Sequence, residues 1–374
     1  MERGRNELCW CGSGLKYKYC HLNRHKLDLV DLQEILQASK QVFGKRYCLH
    51  PEASQKLCNG DIVKAHTIQK NGGLSIIARK GHVYNCMSGG GFGKTKDKNL
   101  KPNLVGIHNA STFTGFCKHH DNEVFAPIEK YPVQFNEEHT FLLSYRALCH
   151  ELFLKRADNQ LVPTRRKIDR GRSIQEQFFI QKAINDHATG VDKAIEDLNN
   201  LKELYDACLL RRDYSSVHYY IIQLHKTPEI LCNAIHQPEY DFQGNFLQNL
   251  ADFSHHANWL HFSMLTTNNG GAAVFSWVGE NLICRQFIRS LHTLSDQQLP
   301  HAIVRYMFEF FENTFFAPDW WDNLAESVQR RLMLRQFTEL PPRFEFPRTD
   351  DCLKDDGIRA VNWRVVDRHV NFDL

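Results

Sequence analysis

The sequence predicts an α+β protein, helix-rich over its C-terminal two-thirds and built from small cysteine-rich units at its N-terminal end. Two observations carry this. Seven of the twelve cysteines (Cys9, Cys11, Cys20, Cys48, Cys58, Cys86 and Cys117) fall in the first third of the 374 residues. From His139 onward, apolar residues recur with helical period between shorter alternating runs. The 42% apolar and 24% charged shares are those of an ordinary globular chain.

The elements follow in order along the chain. Residues 1–25 form the first cysteine-rich unit. Leu29, Leu32, Leu36 and Val42 recur at near-helical spacing, so Leu27 to Phe43 reads as an amphipathic helix. Residues 45–131 form a second cysteine/histidine module, rich in β-branched and aromatic residues and broken by glycines. Residues 139–374 form the third part, a helix-rich α+β domain of unassigned role. Within it Phe141, Leu142, Tyr145, Leu148, Cys149 and Leu152 make one helical stripe, and Val191 to Cys208 carries another. The basic run Pro163 to Arg172 reads as a loop between them. Val217, Tyr219 and Ile221 alternate as a strand, and Trp259 to Leu265 and Ala273 to Val278 flank Asn268-Asn269-Gly270-Gly271 as a hairpin. Helices are predicted over His301 to Phe311 and Trp321 to Leu334, with Pro318 at the break. Cys149, Cys208, Cys232 and Cys284 stand singly in apolar surroundings and read as core thiols.

No apolar run reaches the roughly 20 residues that cross a bilayer, and Arg3, Arg5, Lys16 and Lys18 occupy the place of an apolar leader. The expectation is a cytoplasmic protein without membrane association, in which cysteines ligate metal rather than form disulfides. Charge is uneven. Residues 1–130 hold 20 Lys and Arg against 11 Asp and Glu, whereas the remainder holds 26 against 32. A basic N-terminal third suits a polyanion, so nucleic acid is the expected partner.

The first unit reads Cys9-Trp10-Cys11-Gly12-Ser13-Gly14, then Lys16-Tyr17-Lys18-Tyr19-Cys20-His21. Two thiols one residue apart clasp a zinc ion from a tight turn, and the adjacent Cys20-His21 pair completes four ligands. This resembles the SEC-C motif, found among other places at the tail of the preprotein translocase ATPase. The resemblance implies a structural or protein-binding role, because a zinc ion with four protein ligands has no open position for catalysis.

In the second module the order is Cys48, Cys58, then Ala65-His66-Thr67, then Phe116-Cys117-Lys118-His119-His120-Asp121. It resembles the HNH family of His-Me finger nucleases over residues 45–131. The resemblance implies a zinc-braced, treble-clef-like ββα module in which Cys48, Cys58, Cys117 and His120 hold a second structural zinc, with His119 as an alternative to His120. It also implies that His66 is the general base, with magnesium or manganese at the active site. Ala65 stands where family members carry an Asp or His metal ligand, which leaves Asn109, Asp121 and Asn122 as candidates for that work. His82 and His108 read as structural. The run Ser88 to Thr95 falls one glycine short of a phosphate loop, and Ser88 to Lys101 reads as a basic loop against a nucleic-acid backbone.

The expected function is therefore metal-dependent hydrolysis of DNA or RNA, in the setting of bacterial phage defence. The alternative is a non-catalytic zinc adaptor that binds nucleic acid or, through the SEC-C-like unit, a protein. A third reading makes Trp259, Trp277, Trp320 and Trp321 the lining of a ligand pocket.

Overall fold

The structure is a computed structural model and describes residues 4–58, 60–86, 101–337 and 349–374. The predicted basic loop Ser88 to Lys101 lies outside them, apart from Lys101. In chain order the elements are α1 (Leu32–Phe43), β1 (Ile62–His66), α2 (Ser75–Ile77), β2 (His82–Asn85), β3 (Asn103–Gly106), β4 (Thr112–Cys117), α3 (Lys118–Lys130), α4 (Glu137–Arg165) and α5 (Ile174–Arg211). There follow β5 (Val217–Leu224), β6 (Ile230–His236), β7 (Leu260–Thr267), β8 (Gly270–Val278), α6 (Leu282–His292), α7 (Leu299–Phe310), β9 (Thr314–Phe316), α8 (Pro318–Asp322), α9 (Glu326–Phe337) and β10 (Val365–Val370). No described helix is long and apolar enough to cross a membrane.

Two compact units divide the chain, one of Met1–Lys45 with Leu152–Leu198, the other of Arg46–Glu151 with Asn199–Leu374. The predicted modules 1–25 and 45–131 fall in different units, and 139–374 is shared between them.

In the first unit, Asp31 caps α1 by accepting a hydrogen bond from the Gln33 amide at 3.0 Å, so the helix begins five residues later than the apolar spacing suggests. The predicted loop Pro163 to Arg172 is shorter than expected. Pro163 lies inside α4, which ends at Arg165, and the turn that follows leads into α5. A reciprocal cap starts α5: Ser173 Oγ accepts from the Glu176 amide at 3.3 Å, and Glu176 Oε2 accepts from the Ser173 amide at 2.9 Å.

Among the described residues, the second unit contains two sheets. β1 and β4 form an antiparallel pair that leads directly into α3. The larger sheet has eight antiparallel strands in the order β10-β5-β8-β7-β6-β9-β2-β3. Thus β2 and β3, predicted to belong to a self-contained module, pair instead into the sheet of the C-terminal strands, where Tyr84 lies opposite Phe316. The predicted β7–β8 hairpin forms, with Thr267 opposite Gly270, so that both strands run closer to the turn than the sequence reading placed them. One face of the sheet presents Tyr220, Ile222, Phe262, Met264, Phe275 and Trp277 to Phe287, Ile288, Ile303, Tyr306 and Met307 of α6 and α7. The predicted helix Trp321 to Leu334 is broken: Pro318 begins the five-residue α8, and α9 starts afresh at Glu326.

Gly270 makes the hairpin corner possible. Its φ is +147°, and a Cβ there would lie 2.2 Å from the Leu224 carbonyl oxygen. Because backbone on the neighbouring strand cannot yield, Gly270→Ala is expected to cost about 2 kcal/mol or more, read as a lowered midpoint of chemical unfolding.

Candidate metal centres and the His66 site

The N-terminal centre begins as a knuckle. The Cys9 amide donates to Leu15 O at 2.7 Å and the Tyr17 amide to Glu7 O at 2.8 Å, closing a tight loop with Gly12 and Gly14 at φ +77° and +71°. A single 3₁₀ turn, Tyr17–Tyr19, then delivers Cys20 and His21. Cys9 Sγ lies 3.2 Å from His21 Nδ1, Cys20 Sγ 3.1 Å from the same nitrogen, and Cys11 Sγ 3.5 Å from Cys20 Sγ. All four donor atoms fall within 4.8 Å of one another. Tetrahedral zinc, with bonds of about 2.3 Å to sulfur and 2.0 Å to nitrogen, has edges of roughly 3.5–3.8 Å, so the donor set fits that ion. Without a cation, burial pushes the Cys9 thiol up to about 12. The metal would hold it as thiolate.

The surroundings of His21 are equally ordered. Its Nε2 lies 2.8 Å from Asp169 Oδ2, so the ring presents Nδ1 to the cluster. Asp169 is fully buried and also accepts from Arg24 Nε at 2.5 Å and Gln181 Nε2 at 2.8 Å. Burial alone would raise its pKa, but the bonds from His21, Arg24 and Gln181 outweigh this and hold the carboxyl below its ordinary value. The Cys11 carbonyl accepts from Arg166 Nη1 and Asn185 Nδ2, each at 3.1 Å. Trp10 packs on His21 with ring centres 4.4 Å apart.

Residues 5–23 match the SEC-C motif.

No curated protein and no solved structure matches the chain. The SEC-C motif here supplies four protein donors to one point, which suits a structural ion with no coordination position left for substrate. The Cys11 carbonyl and His21 are tied to Arg166, Asn185 and Asp169 of the same unit, and Gln181 braces Asp169 and Arg166 in turn. A carboxylate behind a metal-bound histidine fixes the ring and raises its basicity. Sequence spacing showed the ligands and missed this carboxylate, which lies 148 residues away.

The second centre gathers Cys48, Cys58, Cys117 and His120, again within 4.8 Å. Their sulfurs lie 3.4, 3.8 and 3.2 Å from His120 Nδ1. The chain reaches this arrangement through the Tyr47 and Leu49 amides, which donate to Thr114 O and Gly115 O along β4, and through a turn in which the Cys58 amide donates to Ser54 O at 2.8 Å. Cys117 also caps α3, accepting from the His120 amide at 3.5 Å. His120, not His119, joins the cluster: His119 is exposed and reaches Glu123 at 3.2 Å. The His50 ring stacks on His120 at 4.0 Å. Burial pushes the Cys48 thiol up to about 11 when no cation is present. Like the first, this donor set fits zinc.

His66 ends β1, opposite Thr112. Its Nε2 lies 3.0 Å from Ile107 O, and a carbonyl can only accept, so Nε2 donates and, in the neutral ring, Nδ1 keeps its lone pair. Nδ1 has no partner among the described residues. The ring is half-buried. Burial pushes its pKa below the ordinary value, with Lys70 and Arg146 acting in the same direction and Ile107 O and Glu129 opposing it.

The other predicted residues are disposed differently. Asn109 is exposed, and its Oδ1 accepts from Lys64 Nζ at 3.0 Å. Asn122 is exposed on α3. Asp121 carries a buried Oδ1 without a protein partner, and burial raises its pKa. Two residues near His66 were missed. Arg146 is 1% exposed, bonds through Nη1 to Glu129 and lies over the Phe125 ring at 4.0 Å. A charge inside the apolar stripe Phe141 to Leu152 was the available signal. Among the described residues, groups of His, Cys, Asp or Glu that could hold a metal form at the two Cys/His centres and not at His66. Trp259, Trp277 and Trp321 are buried in the core, and Trp320 Nε1 donates to Ala360 O at 2.9 Å, so the tryptophans pack rather than line a pocket.

Proposed function

We propose that β1, β4 and α3 form an HNH-type, zinc-braced ββα centre that hydrolyses phosphodiester bonds of DNA or RNA. The observation that carries this reading is the placement of His66 at the end of β1, with Nε2 against Ile107 O and Nδ1 without a partner among the described residues. Such a nitrogen takes a proton from water as the water oxygen bonds to phosphorus and the P–O bond to the leaving oxygen breaks. A magnesium or manganese ion would supply charge neutralisation on the phosphate and leaving oxygen; of the residues expected to hold it, Asn109 Oδ1 accepts from Lys64, Asp121 Oδ1 is buried and Asn122 is exposed, and no His, Cys, Asp or Glu group for a metal forms at His66 among the described residues. Lys64 on β1 and Lys118 and Lys130 on α3, with Lys70 just after β1, supply positive charge for the backbone of the substrate. Phage defence in the bacterial cytoplasm is the setting we assign to such an activity, with the SEC-C motif as the possible protein contact.

The test is incubation of the zinc-loaded protein with plasmid, linear and single-stranded DNA and with RNA, in magnesium or manganese, beside a folded His66→Ala variant. Cleavage by the wild type and a loss of roughly 100-fold or more in the variant are expected. The rate should rise with pH and level off at a lower pH than an ordinary histidine base would give, because His66 acts unprotonated and burial holds its pKa below the ordinary value. One observation favours the adaptor reading instead: Ala65 is buried where a metal ligand would stand. Salt-sensitive binding of nucleic acid with no cleavage of any substrate would decide for the adaptor.

A further inference from the structure

The face of the large sheet turned away from α6 and α7 holds a feature that neither zinc centre nor the His66 ring explains. It is a chain of polar side chains sealed in the interior. Asn233 on β6, His261 on β7 and Ser276 on β8 are each no more than 1% exposed. Ser276 Oγ lies 2.7 Å from His261 Nδ1, and His261 Nε2 lies 2.8 Å from Asn233 Oδ1. The direction of the chain is fixed. Asn233 Nδ2 spends its hydrogens on Thr67 O at 3.0 Å and Leu143 O at 3.3 Å, so Oδ1 must accept from His261 Nε2–H. His261 Nδ1 then accepts from the Ser276 hydroxyl. Burial pushes His261 down to about 3, which keeps it neutral in this role. A serine, histidine and asparagine in sequence suggest a nucleophile, but burial of all three denies it any substrate.

The chain ends on the residue after His66. Thr67 is itself 1% exposed, and each of its polar groups is held. Its amide donates to Ser111 O at 2.8 Å, its hydroxyl meets Ser111 Oγ and accepts from Asn313 Nδ2 at 2.7 Å, and its carbonyl accepts from Asn233. Asn313 also donates to Asn233 O at 2.7 Å. Ser111, at φ +55°, occupies a left-handed conformation unusual for a side-chain-bearing residue, and its hydroxyl accepts from the Ile68 amide at 3.1 Å. A buried polar network of this kind is costly unless complete, and complete it rigidifies what it holds. What it holds is the bend by which the chain leaves β1 immediately after His66.

We propose that Asn233, acting from the Ser276–His261 chain, is a positioning residue that fixes the Thr67 peptide and thereby the direction in which His66 presents Nδ1. The proposal rests on reading His66 as the base, but its first readout does not require activity. Full-length, zinc-loaded protein with 15N-labelled histidine gives long-range imidazole spectra, in which the His66 signals are those lost in His66→Ala. The wild type should show His66 as the Nε2–H tautomer. Asn233→Ala should mix the two tautomers, and Thr67→Val, which removes one hydroxyl with little change of shape and covers the case that Asn233→Ala fails to fold, should do the same. On a cleaved substrate both variants should lose roughly 100-fold in kcat with KM changed about twofold or less, as misdirection of a base by about 1 Å predicts. An unchanged His66 tautomer in folded Thr67→Val or Asn233→Ala overturns the proposal. If the wild type cleaves nothing, the nuclease reading falls, and the tautomer alone decides whether Asn233 positions His66.

Discussion

Replacing Cys117 by serine is expected to lower the zinc content from two ions per chain to one and to melt the β1–β4 pair with α3. Two losses coincide at this residue. Its sulfur is one of three around His120 Nδ1, and it also caps α3. Structural zinc contributes apparent folding free energy of about 10–16 kcal/mol in small zinc-built domains, far more than a cap worth about 1 kcal/mol. The variant should therefore behave as a chain locally unfolded between Cys48 and Lys130, read as accelerated amide exchange there and as halved zinc by atomic absorption. Cys149→Ser is the control: Cys149 is buried in α4, outside both donor groups, and its loss should leave two ions bound. Retention of two ions by Cys117→Ser would refute the assignment. Acid should release the metal in wild type as well, because protons compete for thiols that burial holds high, Cys48 at about 11 and Cys9 at about 12.

Asp169→Ala carries the second large expected effect. Removing the carboxylate leaves the Arg24 guanidinium without its buried partner and strands donors on His21 and Gln181. Breaking one side of a buried ion pair costs about 3–5 kcal/mol, and loss of the carboxylate behind a metal-bound histidine weakens metal affinity roughly 10- to 100-fold. A competition titration against a metallochromic chelator should show one site weakened and the other unchanged. The pH dependence has a defined sign. Because the folded pKa of Asp169 lies below its unfolded value, its contribution is present at neutrality and is lost as the pH falls through the folded value. The variant's stability should thus converge on that of the wild type in acid.

The pairs Cys9 and Cys11, Cys20 and His21, and Cys117 and His120, which could hold metal in the two clusters, were legible in the sequence because each lies within one turn and such spacings survive in one dimension, whereas Cys48 and Cys58 join the second cluster across a longer separation. The β7–β8 hairpin was legible for the same reason. What the sequence hid is decided across long separations. Nothing near Asp169 marks it as the partner of His21, and nothing in His82 to Asn85 announces pairing with Phe315 and Phe316. Pro163 misled because a proline's local cost was outweighed within a 29-residue helix. Asn233, His261 and Ser276 sit in strands whose alternation identifies faces but does not reveal that polar residues on a buried face satisfy one another.

The strand order of the large sheet has a consequence for how the protein is made. The SEC-C ligands have all left the ribosome once residue 21 is clear, whereas Asp169 follows nearly 150 residues later. β2 must wait longer, since its partner β9 is separated from it by more than 200 residues. At roughly 5–20 residues per second, that interval lasts on the order of ten seconds or more, during which β2 and β3 have open edges and no neighbour on the β9 side. Nascent chains of this protein are accordingly expected to occupy a chaperone that shields strand edges, and the yield of soluble product should depend on its supply.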